Sequence, residues 1–186
     1  MKLLFITGLY PQNRIDYFRE KSKGSIQNAP NVFQWAIVDG LERNNIDFHI
    51  VSYPFIPSFP CNYKSLYVPK FEIISNGSAI GRSQSFCTLA AIKEFSIQFH
   101  LKRYILDWIK DIKRALPEEE IIILTYSDYS PFLNAVKSVK KRYPDVVLVS
   151  IITDMLEDML KFNDNNKLLK RVQTILEFRK VKKLYK

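Results

Sequence analysis

Two histidines, two cysteines and 19 carboxylates are what this 186-residue chain offers for metal binding or proton transfer. Cys61 and Cys87 sit at a spacing that matches no zinc or redox motif. His49 falls in an expected strand and His100 in an expected helix. Neither has a neighbouring Cys or a paired His, so no metal site is expected. No Ser-His-Asp or Cys-His set is apparent. A dinucleotide fold needs G-x-G-x-x-G directly between a strand and a helix, so that backbone can approach a pyrophosphate. Here Gly8 stands alone, followed by about 20 residues before the first expected helix. A Walker A loop is also missing, and no cofactor is expected.

Three short polar segments remain as candidates for binding chemistry. Each follows an apolar run: Thr7-Gly8, Tyr126-Ser127-Asp128 and Thr153-Asp154. In open α/β sheets, ligands bind beyond the carboxyl ends of the strands, at the point where strand order reverses. Any one of these residues could serve instead as a cap or turn, as Asp128, Ser130 and Asp154 readily do. Together they form a candidate site, because the fold rule supplies their location independently.

The elements that must position these segments can be read from pattern. KLLFIT (2–7), IIILT (121–125) and VVLVSIIT (146–153) are continuous apolar runs, as in strands covered on both faces. Residues 47–55 and 66–75 are expected as further strands, and Pro69 limits where the latter begins. Asn76-Gly77 signals a turn. A first helix is expected from about Ala29, capped by Asn28, with Phe33, Ile37 and Leu41 on one stripe. Residues 86–114 read as one long helix or two stacked ones. Further helices are expected over 131–142 and 167–185. The segment from Leu9 to Asn28 has no clear period and is expected to be a mobile loop. The order is β-α-β-β-α-β-α-β-α. It predicts one domain over residues 1–186: a Rossmann-like, mostly parallel, doubly wound sheet with helices on both faces and the first strand near its centre.

Charge narrows the partners. The chain carries +9, and residues 167–186 hold eight Lys or Arg against Glu177 alone. A basic patch can meet nucleic acid or an anionic membrane. Basic residues also favour helix C-termini and solvated faces, so nucleic acid is not the expected partner. Two thiols and no secretory signal predict a reducing, cytoplasmic setting. No apolar run approaches the roughly 20 residues needed to span a bilayer.

KLLFITGLYP, a long polar segment, and then NAPNVFQWAIVDGLERNNIDFHIVSYP resemble the opening of family-4 glycosyltransferases. IIILTYSDYSPFLNAV and VVLVSIITDM also look like that family's N-terminal domain. The resemblance covers nearly the whole chain through patterns rather than rigid signatures. It implies one half of a GT-B enzyme, metal-independent, with two Rossmann-like domains facing a cleft. The N-terminal half would bind a glycan or lipid-linked acceptor. The nucleotide-sugar donor would sit in a C-terminal domain that these 186 residues do not contain, so the chain alone is expected to show no transfer. By resemblance, the segment from Gly8 to Asn28 would face the cleft, with Tyr126, Ser127, Asp128 and Thr153 as further substrate contacts. Asp154 would stand where the family often has a His-Asp pair and is the catalytic candidate, although Thr153 replaces the His. A peripheral contact with the inner face of an anionic membrane is also implied, through the basic terminal helix or the aromatic and basic residues of 86–114. The rival readings are a non-catalytic flavodoxin-like binding or regulatory module and a nucleic-acid binder using the basic helix.

Overall fold

Alternation along KLLFIT places Leu3 and Phe5 in one core and Leu4 and Ile6 in another, so this strand divides the molecule into two packed layers. In the computed structural model, which describes residues 1–153, the strands are β1 (Lys2–Thr7), β2 (Phe48–Ser52), β3 (Tyr67–Val68), β4 (Phe71–Ser75), β5 (Ser78–Ser83), β6 (Phe86–Cys87), β7 (Ile121–Tyr126) and β8 (Val147–Ile151). The helices are α1 (Ile15–Lys21), α2 (Asn28–Arg43), α3 (Lys93–Ala115) and α4 (Ser130–Lys140). Six strands form one mixed sheet in the order β4-β5-β2-β1-β7-β8. All neighbours are parallel except β4, which runs antiparallel to β5 at one edge. The first strand is central, as the sequence predicts. Strand order reverses there, because the chain moves to β2 on one side of β1 and later to β7 on the other.

Helices cover both faces. On one, α3 buries Ile97, Leu101, Ile105 and Ile109 at a strict four-residue spacing, and α4 adds Phe132, Ala135, Val136 and Val139. Each fully buried aliphatic of this kind contributes about 1.5–3 kcal/mol. On the other face α2 buries Val38 and packs Trp35, Ile37 and Leu41 against Leu3, Phe5 and Ile50.

Several expectations are corrected. The segment after Leu9 is not a structureless loop: a 3-10 turn at Gln12–Arg14 leads into α1, whose Phe18 is fully buried. Its polar sequence hides a helix of under two turns, held by packing rather than by periodicity. Asn28 is the first residue of α2 and not its cap. Pro69 splits the expected strand 66–75, because it has no N–H to give a ladder. Residues 67–68 pair instead with 86–87 in a small antiparallel sheet. The long helix therefore starts at Lys93 and not at Phe86, whose side chain is buried by that pairing. β5 was not foreseen, being the polar run SAIGRS. VVLVSIIT does form a strand, but β8 is at the edge: Val147, Leu148 and Val149 are 36–44% exposed rather than covered on both faces. Asp154 and the basic helix expected over 167–185 lie outside the described residues.

Candidate functional site

A cleft of about 670 Å³ opens at the carboxyl ends of β2 and β7, on the side where strand order reverses. That size accommodates a small-molecule or sugar ligand. Residues 53–57 follow β2 and form one wall, and residues 127–130 follow β7 and form another. Residues 22–27, just before α2, and the first turns of α3 complete it.

The end of β1 itself is closed. Phe55 lies directly over Gly8, so that a methyl group on Gly8 would stand 2.4 Å from the ring. The amides that a phosphate would want are already used. Gly8 N–H donates to Gln34 Oε1 at 2.8 Å, and Tyr10 N–H donates to Asn31 Oδ1 at 2.8 Å. Gln34 and Asn31 are buried polar residues of α2, and this pairing accounts for their burial. Trp35 Nε1–H donates to the Tyr10 carbonyl at 3.1 Å. The chain after β1 is thus pinned to α2. Phe55 N–H donates to the Gly8 carbonyl at 3.0 Å, which seals the opening from the β2 side.

The wall after β7 carries polar groups. Ser127 has a positive φ of 71°, a region that side chains other than glycine enter at a cost. Its N–H donates to the Ile151 carbonyl at 2.8 Å, which fixes the turn to the end of β8. Its hydroxyl reaches Asp128 Oδ1 at 3.4 Å, and both residues are half-buried. Beside them Tyr129 packs edge-on against Phe55 at 5.7 Å and Phe132 at 5.0 Å. The cleft therefore sets aromatic surface beside hydroxyl, amide and carboxylate groups.

Lys93 opens α3 and reaches into the cleft, with its ammonium donating to the Ile56 carbonyl. Burial pushes its pKa down to about 8, outweighing the carboxylate of Glu94 beside it. Sequence reasoning missed Lys93, Phe55 and Tyr129. Lys93 carried no signal in the sequence, because the helix was expected from residue 86 and only the structure puts Lys93 at its N-terminus. Phe55 and Tyr129 carried no signal, because only the crossing of two loops brings them together.

Of the residues singled out from sequence, Ser127 and Asp128 line the cleft. Asn28 is exposed and follows Gln27, a lining residue. Gly8 and Tyr126 are buried: Gly8 lies under Phe55, and the Tyr126 ring lies between Phe33 and Phe55. Thr153 is exposed just beyond β8. Among the described residues no group of His, Cys, Asp and Glu could hold a metal ion, and no helix is long and apolar enough to cross a membrane. Comparison with known proteins returns no matching family model, no matching curated protein and no matching solved structure.

Proposed function

We propose that the chain is a Rossmann-like domain serving as the acceptor-binding half of a glycosyltransferase that uses a nucleotide-sugar donor. The cleft would take a sugar unit of a glycan or lipid-linked acceptor. The observation that carries this reading is the pairing of Phe55 and Tyr129 with Ser127 and Asp128 on adjoining walls. A pyranose has an apolar C–H face that packs on an aromatic ring, and a rim of hydroxyls that needs donors and acceptors. The strand order supports the reading, since open parallel sheets commonly bind ligands beyond the carboxyl ends of the strands where the order reverses, as it does at β1. The closed end of β1 fits an acceptor better than a pyrophosphate. Asp154 stays the proposed catalytic group, with Thr153 before it. Docking of the whole enzyme at the cytoplasmic face of an anionic membrane belongs to the same reading.

The test is titration of the 186-residue chain with a panel of neutral mono- and oligosaccharides, followed by backbone amide NMR. Saturable shifts at Ser127, Asp128 and Tyr129 are expected. Tyr129→Ala should weaken binding by about tenfold, the upper end of what one aromatic contact contributes. Absence of saturable shifts, or indifference to Tyr129→Ala, would count against a glycan site. Sugar binding by a full-length protein that hydrolyses or transfers no nucleotide sugar would favour the non-catalytic module.

A further inference from the structure

Lys93 carries its charge into the fold with a backbone carbonyl, and no paired carboxylate, to receive it among the described residues. It is half-buried in the wall of the cleft, and it heads a 23-residue helix whose N-terminal end is electropositive. Among the described residues no carboxylate lies within ion-pair distance of it. An ammonium has three N–H groups, and the Ile56 carbonyl takes one. Burying a cation without a counter-charge is costly, and a structural lysine would normally extend its head into water.

We propose that the cleft holds an anionic group of its ligand, a phosphate or a carboxylate, on the Lys93 ammonium. This deepens the glycan reading and rests on the same cleft: the acceptor carries one anionic group near its bound sugar. The anion supplies the missing counter-ion, and charge-assisted hydrogen bonds make such a contact stronger than a neutral one. The exposed carboxylate of Glu94 also lines the cleft. It repels a second anionic group, so a unit with one anionic group fits better than a polyanion. Lys23 also lines the cleft, but it is exposed, so water already solvates its charge.

The experiment compares glucose, glucose 1-phosphate and glucuronic acid, with inorganic phosphate and acetate as bare anions, by amide NMR on the 186-residue chain. At least one of the two anionic sugars should bind more tightly than glucose, with shifts at Lys93. Lys93→Gln should weaken that ligand by about tenfold or more, the usual size of a charged hydrogen bond, and should weaken it more than it weakens glucose. Lys93→Arg should retain most of the anion preference, which separates charge from a structural role. Phosphate and acetate tell which of the two anion chemistries the site prefers. Equal affinity for glucose and both anionic sugars, or anion binding untouched by Lys93→Gln, would overturn the proposal while leaving a neutral glycan site standing. Lys93-dependent phosphate binding with no response to any sugar would keep the anion site and overturn the glycan reading. No binding of any probe would overturn both.

Discussion

Gly8 shows how a single missing methyl shapes the site. Its Cβ position coincides with the Phe55 ring, so Gly8→Ala forces Phe55 away and into the cleft it borders. Overpacking of this kind costs about 1–3 kcal/mol. Urea unfolding should show that loss for Gly8→Ala. Gly24→Ala, where a methyl meets nothing within 4 Å, should change stability by less than about 0.5 kcal/mol. Lys93 gives a second expectation at this scale. Burial pushes its pKa down to about 8 from the ordinary lysine value of 10.5, so between those values the unfolded chain binds more protons than the folded one. Stability from this group therefore rises with pH across that window. Below pH 8 the buried charge is fully present and its cost is greatest. Lys93→Met should be more stable than the parent chain at neutral pH, and the gap should narrow between pH 8 and 10.5. Parallel denaturation curves for the two proteins across that range check this. A constant gap would show that burial does not perturb the amine.

At the scale of elements, the β4–β5 hairpin depends on glycine twice, for different reasons. Asn76 and Gly77 both have positive φ, 48° and 78°, as a two-residue turn with the strand's own twist requires. Gly81 sits opposite Ile50 in the ladder, where a Cβ would lie 2.2 Å from the Ile50 carbonyl oxygen. Gly81→Ala should therefore separate β5 from β2 and detach the hairpin from the sheet edge. Hydrogen exchange should quicken in β4 and β5 while β1 and β7 keep their protection. Uniform loss of protection would mean that the hairpin and the central sheet unfold as one unit. The same contact explains why β5 could form from so polar a run: backbone close approach, not side-chain burial, seats it.

Across the whole molecule, tyrosines tie the loops to the core. Tyr10 after β1, Tyr53 after β2 and Tyr63 further along are all fully buried. Burial pushes the Tyr10 hydroxyl up to about 12, and those of Tyr53 and Tyr63 upward as well. Above pH 10 the unfolded chain ionises these phenols while the folded chain keeps them protonated. Stability contributed by their neutral forms is then lost as pH rises. The urea midpoint should fall steeply above pH 10, with phenolate absorbance from the buried tyrosines appearing only as the protein unfolds. Full phenolate absorbance from a still-folded protein would refute their burial.

The central sheet was legible because its signal is local. KLLFIT and IIILT are apolar at nearly every position, so they must be covered on both faces wherever they lie, and Asn76-Gly77 accepts a turn that few other pairs tolerate. The carboxyl ends of those runs then marked Ser127 and Asp128 for the cleft. What the sequence could not show depends on contacts between segments far apart in the chain. Residues 86–87 read as the start of the long helix but form a strand, because residues 67–68 offer them a ladder. Gly8 reads as a ligand contact until Phe55 is seen lying over it. Lys93 reads as one lysine among many until the chain around Ile56 takes water from it. Local periodicity records which face of an element is buried, whereas the site is made by loops from different strand ends, and only the tertiary structure decides which of them meet.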